Sequence, residues 1–290
     1  MLEKEILYFD LEQICASGQC FRMKPLGENR FCVLAGDRYL EAVQDGSRLR
    51  LDCTEEEFQN YWKYYFDLDR DYGACIQAIN PKDAYLTRAA EAGRGIRILR
   101  QELWETLVSF LISQQNNIVR IRRCIENICF RYGLLCSTDT GVIYHAFPTP
   151  EALSKTSEEE LRDCNLGYRA KYVVKAAQRV VSGEASLEEI QQMDYLRARE
   201  ALLEFYGVGE KVADCICLFS LHHLEAFPVD THIRQALEAH YKRGFPKRRY
   251  KGIEGVIQQY IFYYELTEVQ SVKNGPAKAV LGEGKGKLKA

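Results

Sequence analysis

The sequence predicts an α+β protein: an antiparallel N-terminal β-sheet domain followed by a mainly α-helical domain that contains a helix-hairpin-helix. Three observations carry this expectation. Up to about residue 52 the apolar residues lie in alternating or short runs, broken by Gly36-Asp37 and Asp45-Gly46, pairs suited to tight turns between antiparallel strands. Beyond residue 100 the apolar positions recur every three or four residues, the period of an α-helix. Gly207 and Gly209, two residues apart, then stand between two apolar helical runs.

Taken in order, Phe31 and Val33, Tyr39, Ala42-Val43, and Leu49 with Leu51 supply the strands. Thr54-Glu55-Glu56-Glu57 reads as a capping box that opens a helix carrying Phe58, Trp62, Tyr65 and Phe66. Trp104, Leu107, Val108, Leu111 and Ile112 form one helical stripe, and Ile118, Ile121, Ile125 and Ile128 another. Thr149-Pro150, Ser157 with Glu160, and Ser186 with Glu189 mark further helix starts. The chain thus divides into a sheet domain with helices over 1–100 and a helical domain over 101–270, with its hairpin at about 197–221. Residues 271–290, rich in glycine and lysine, read as a disordered tail.

Composition sets limits. A chain of 290 residues, 47% hydrophobic, suits one large or two ordinary domains. No apolar run reaches membrane-spanning length, and Met1-Leu2-Glu3-Lys4-Glu5 is no signal peptide. A cytoplasmic protein is expected, associated with the nucleoid if the source is bacterial. Eleven cysteines without a CxxC pair read as reduced thiols, mostly small core residues. The net charge of −2 counts against a nucleic-acid binder. That charge is uneven, with basic clusters at Arg120-Ile121-Arg122-Arg123, Arg169-Ala170-Lys171 and Lys242 through Lys251. A focused basic face is enough to hold phosphate, although each cluster alone reads equally as a solvated surface.

The densest chemistry lies in Phe205-Tyr206-Gly207-Val208-Gly209-Glu210-Lys211-Val212-Ala213-Asp214 and, nineteen residues after the lysine, Asp230. Amides opening the second hairpin helix suit an anion such as a phosphate. Lys211 falls in that helix's first turn, where a cation is electrostatically misplaced. It reads as a solvated charge, a phosphate contact or a nucleophile. An amine with an ordinary pKa of about 10.4 is neutral in fewer than roughly one molecule in a thousand at pH 7, so a nucleophilic lysine needs surroundings that free its lone pair. Asp230 follows Pro228 and precedes an amphipathic run with Ile233 and Leu237, the position of a helix N-cap. An ionised carboxylate held there can also support positive charge developing on a sugar ring.

The segment Gly207-Val208-Gly209-Glu210-Lys211-Val212-Ala213-Asp214-Cys215-Ile216-Cys217, with Pro228-Val229-Asp230-Thr231-His232, resembles the helix-hairpin-helix/Gly-Pro-Asp superfamily of DNA glycosylases. Within it the match is to the 8-oxoguanine DNA glycosylase/AP lyase branch, and it covers most of residues 5 to 265. Branches that hold an iron–sulfur cluster carry cysteines after the aspartate, whereas the last cysteine here is Cys217. Alkyladenine glycosylases keep the aspartate but lack the lysine.

The resemblance implies a cleft between the two parts of the fold and excision of 8-oxoguanine, preferably opposite cytosine, by base flipping. Lys211 would attack C1′ and carry a Schiff base that permits strand cleavage, with Asp230 as its catalytic partner. Gly18, in Ser17-Gly18-Gln19-Cys20-Phe21-Arg22, would offer its carbonyl to the N7–H of the lesion; from the residues alone it reads as a turn glycine. Gln259 would meet the base edge, with Tyr263 on one face and Cys215 on the other, although the aromatic residues of this segment suit a core equally. In Ser113-Gln114-Gln115-Asn116-Asn117-Ile118-Val119-Arg120, Gln115 would fill the hole left by the base, with Asn116 and Asn117 beside it on the DNA. Arg120 and Arg169 would read the orphaned cytosine, Tyr168 would wedge between bases, and Gly207, Gly209 and His232 would touch phosphates. The partner implied is double-stranded DNA containing oxidised guanine, bound by a monomer without a membrane. No cofactor is required, although carbonyls near Leu203, Phe205 and Val208 could hold a structural cation. Alternatives are a glycosylase of different base preference and a non-enzymatic DNA-binding or scaffold protein.

Overall fold

A computed structural model describes residues 1–269, so the tail expected over 271–290 lies outside the described residues. The expected α+β architecture is present. Strands β1 (Leu2–Glu5), β2 (Met23–Gly27), β3 (Arg30–Ala35), β4 (Arg38–Asp45) and β5 (Arg48–Leu51) form one antiparallel sheet in the order β1-β5-β4-β3-β2. Gly36 and Gly46 turn the β3–β4 and β4–β5 hairpins, each at φ 59°, a left-handed conformation that glycine adopts without steric penalty. Thr54 and Glu57 make the reciprocal capping box, which leads through a π-helical turn at Phe58–Trp62 to Lys63–Tyr65. Phe58, Trp62, Tyr65 and Phe66 bury against the sheet residues Val33, Leu40, Leu49 and Leu51.

The packing boundary does not follow residue 100. The helices Tyr72–Gln77 and Ala84–Ala92 share their core with later ones: Leu86, Ala89 and Ala90 belong to the same buried cluster as Ile257, Tyr260 and Ile261. The change of hydrophobic period that set the boundary at 100 marks the first long helix, Leu103–Ser113, and not the first to join the helical core. Within the mainly helical remainder, Leu135–Ser137 and Ile143–His145 form a small antiparallel pair.

Two buried ionic clusters fasten the sheet to the helices. Asp67 accepts from Tyr72 (2.9 Å) and from Arg100 (2.9 and 3.1 Å), and lies 3.0 Å from Nε2 of His222. Burial works to raise the pKa of Asp67, but His222 and Arg100 hold it down to about 2. Arg97 donates to the carbonyls of Leu7, Tyr8, Asp67 and Arg70. In the second cluster Arg22, on the segment that carries Gly18, pairs at 3.1 Å with Glu105, both buried.

Candidate active site and nucleic-acid interface

The hairpin runs from helix Tyr195–Leu203 to helix Glu210–Phe219. Asp214 joins the two arms by accepting from Tyr195 and Arg199, each at 2.8 Å. At the turn the Phe205 carbonyl accepts from Val208 N–H (2.9 Å), and Gly207 takes φ 91°. A Cβ at Gly207 would fall 2.6–2.9 Å from the ring of Tyr172, so both conformation and space demand glycine. Gly209 differs. As N-cap it has ordinary extended angles, and a Cβ there would meet nothing within 4 Å. No side chain caps this helix, which leaves its opening amides toward open space.

Lys211, half-buried, stands in that first turn, its Nζ 5.4 Å from the centre of the Phe110 ring. Asp230 caps helix Thr231–His240, its Oδ1 accepting from Ile233 N–H at 2.8 Å. The two side chains line one cavity of about 50 Å³, together with Gly18, Phe110, Cys215, Phe219, Pro228, Gln258, Gln259 and Phe262. Larger surface hollows, of about 350 and 620 Å³, lie elsewhere and contain neither residue. Burial pushes the Cys215 thiol up to about 11, opposed by Lys211, so Cys215 is a neutral wall of the cavity.

The pocket corrects one expected pair. On the helix expected to supply Tyr263, the aromatic residue lining the cavity, beside Phe110 and Phe219, is Phe262, whose ring lies 3.0 Å from where a Gly18 Cβ would stand, and Tyr263 is absent from the lining. Successive residues of helix Glu254–Tyr264 point about 100° apart, so Gln258 and Phe262, one turn apart, share the face turned to the cavity. Gln259 lines it as well, beside Gln258, which donates to the Pro228 carbonyl at 3.1 Å. Gly18 takes φ 73°, and Cys215 stands where expected.

The expected DNA-facing residues divide into exposed and engaged. Gln115 (φ 47°), Arg120 and Tyr168 are exposed. Asn117 is exposed as well, and its Oδ1 caps helix Ile118–Tyr132 by accepting from Arg120 N–H at 2.9 Å. Asn116 donates to the Ile112 carbonyl at 3.1 Å. Arg169 is buried and turned inward, donating to the carbonyls of Gln114 (2.5 and 2.7 Å) and Gln115 (2.9 Å), which satisfies a tight loop with few backbone partners of its own. Gln114 went unassigned in the sequence, yet its amide donates to the Gly207 carbonyl at 2.9 Å. It thereby ties the loop at 114–117 to the hairpin, and through Arg169 to the Tyr168 turn. His232 packs edge-on at 6.2 Å from the Phe262 ring. The described residues contain no cluster of three or more His, Cys, Asp or Glu fit for a metal, and no helix long and apolar enough to cross a membrane.

Residues 1–107 match the family model for the 8-oxoguanine DNA glycosylase N-terminal domain, and residues 108–259 that of the HhH-GPD superfamily base excision DNA repair proteins. A Saccharomyces cerevisiae N-glycosylase/DNA lyase is 41% identical over 213 residues, 69% of this chain and 56% of that protein. The match therefore spans little more than half the length of the yeast relative. The Clostridium acetobutylicum 8-oxoguanine glycosylase/lyase without DNA is 37% identical, with a TM-score of 0.84 over 90% of this chain and 94% of that one. The same enzyme on double-stranded DNA with cytosine opposite 8-oxoguanine gives 35%, 0.84, 94% and 98%.

Proposed function

Since the chain belongs to the HhH-GPD superfamily of base excision DNA repair proteins, with an 8-oxoguanine DNA glycosylase N-terminal domain ahead of it, we propose that it excises 8-oxoguanine from duplex DNA and cleaves the strand as an AP lyase. One observation carries this reading: Lys211 and Asp230, from separate motifs, line one cavity beside an uncapped helix N-terminus.

The open amides at Gly209 and Glu210 receive a phosphate of the lesion strand. The flipped base enters between Phe262 and Cys215, with the Gly18 carbonyl accepting its N7–H and the Gln258 and Gln259 amides on its pairing edge. The Lys211 amine attacks C1′, the glycosidic electrons leave with the base, and Asp230 supports the positive charge of the sugar. The capping bond from Ile233 holds that carboxylate in place. The two amine protons pass to the departing base and to O4′ as the ring opens to the Schiff base, and loss of a C2′ proton then expels the 3′ phosphate with the C3′–O electrons. Arg120 and Arg169 read the partner cytosine, Arg169 after exchanging its loop carbonyls for the base. The Leu203, Phe205 and Val208 carbonyls are the donors for a hairpin cation, Phe205 keeping a second lone pair beside its bond from Val208. No step needs such an ion, and a monomer presents the whole site.

Borohydride trapping tests the reading. Duplex containing 8-oxoguanine opposite cytosine is expected to give a covalent adduct that Lys211→Ala abolishes. Binding without adduct or base release would overturn it in favour of a scaffold, and release of other bases alone would reassign the substrate.

A further inference from the structure

A second feature of the same face lies beside the hairpin. Tyr206, which precedes Gly207, is 48% exposed, although tyrosine rings of this size mostly pack against the body of a protein. Lys171 and Lys175, one turn apart on helix Ala170–Val181, both hold their ammonium groups against its ring, 5.1 and 4.4 Å from the centroid. Like charges four residues apart on a helix repel. The ring quadrupole offsets part of that cost, but two cations at one ring remain an unneutralised positive spot. Among the described residues neither lysine has a carboxylate within 4 Å, whereas nearby Arg179 and Arg199 are paired with Glu204 and with Asp214.

The spot is joined to the proposed interface on both sides. Tyr172 packs edge-on against Tyr206 (5.6 Å) and Tyr168 (5.7 Å), and its ring fills the space beside Gly207. An aromatic ladder therefore runs from the exposed wedge at Tyr168 to the hairpin tip. The lysines stand along it, beyond the amides of the Glu210–Phe219 helix.

We propose that Lys171, Lys175 and Tyr206 form a second phosphate-binding site, which grips the duplex backbone flanking the lesion. The two ammonium groups bind phosphate oxygens, and Tyr206 holds both lysines in position against their mutual repulsion. The inference takes from the proposed function only that the ligand is duplex DNA, and base chemistry plays no part in it.

The test measures binding of the full chain to undamaged and to 8-oxoguanine-containing duplex over a range of salt concentration. Each lost phosphate contact reduces the slope of log K against log salt by about 0.9, so Lys171→Ala/Lys175→Ala is expected to flatten it by about 1.8 on both duplexes. Affinity near 0.1 M salt should fall about tenfold or more. Tyr206→Ala should flatten the slope by about half as much, and Tyr206→Phe should leave it unchanged. Lys82→Ala, at an exposed lysine in the turn before helix Ala84–Ala92, serves as the control. An unchanged slope in the double variant, with its melting temperature intact, overturns the proposal, as does an equal loss in Lys82→Ala. A flattened slope in a protein that excises nothing would sustain this site while removing the catalytic reading.

Discussion

The two halves of the proposed DNA-facing surface are built by different means. At the Lys211–Asp230 end the parts are local: a glycine turn, a helix opened without a side-chain cap, and an aspartate that caps its own helix three residues ahead. At the Gln114–Arg169 end the parts hold one another across the chain, with Arg169 bonded to carbonyls 54 and 55 residues away and Gln114 to one 93 residues away. The first end is held by short-range bonds. At the second, Arg169 donates to the protein's own carbonyls, so the proposed reading of a base there exchanges internal hydrogen bonds for external ones at small net cost. On the proposed reading, bonds break at the end built from local contacts, and the duplex is inspected at the end built from long-range ones.

The sharpest way to break this comparison uses two caps. Asp230→Asn keeps a good N-cap, because asparagine caps as well as aspartate, and removes only the charge. Excision measured in a single turnover should fall about 10²- to 10³-fold with the melting temperature nearly unchanged. Asn117→Asp likewise keeps the cap of helix Ile118–Tyr132, but sets a negative charge against phosphate, so it should weaken binding while sparing the rate at saturation. Similar losses of rate in both would erase the distinction between the two ends.

The hairpin glycines give the next largest effect. Gly207→Ala forces a Cβ into the Tyr172 ring at φ 91° and should cost about 2–4 kcal/mol in urea unfolding. Gly209→Ala meets no neighbour and should cost less than about 1 kcal/mol, while impairing DNA affinity. Equal destabilisation would mean that the turn, and not phosphate access, accounts for both glycines.

Behind the hairpin helix, Asp67 and His222 fasten its far end to the sheet, and this predicts a pH dependence. The folded-state pKa of Asp67, about 2, lies below its ordinary value of 3.8. Its contribution, about 2 kcal/mol, is therefore complete above pH 4 and is lost as pH falls toward 2. Burial also depresses the His222 pKa from 6.5, so protonating it opposes folding as pH drops below that value. Stability should decline from pH 6.5 downward and steepen below 4. Asp67→Asn should remove the steep part, and a persisting steep limb would assign it to another carboxylate.

What could be read from the sequence follows the same division. Lys211, Asp230, the hairpin turns and the Thr54, Ser157 and Ser186 caps depend on neighbours within a few residues, and local spacing reports them. The burial of Arg169, the tie from Gln114 and the Arg22–Glu105 pair depend on residues far apart in the chain, which no local pattern records. The choice of Phe262 over Tyr263 depended on helix phase: in a run with aromatic residues at 260, 262, 263 and 264, the sequence alone leaves open which ring faces the cavity. The helices at 72–92 look like an appendage of the sheet until the helical body that buries them is assembled.

Gln114 gives the smallest and most discriminating effect. Its amide holds the hairpin through the Gly207 carbonyl, and its own carbonyl receives Arg169 and, at 3.4 Å, Tyr168. Gln114→Ala removes the amide and leaves the backbone carbonyl, so it should uncouple the loop from the hairpin without releasing Arg169. A loss of about 1 kcal/mol in stability is expected, and about tenfold in single-turnover excision at saturating enzyme, with little change in affinity for undamaged duplex. Gln114→Glu, which retains shape but replaces the donor with an acceptor facing a carbonyl, should be no better than alanine, whereas Gln114→Asn should recover only part of the rate because its amide is one methylene short. Full activity in all three variants would show that the two ends act independently; a loss of affinity without loss of rate would make Gln114 a DNA contact and not the joint between them.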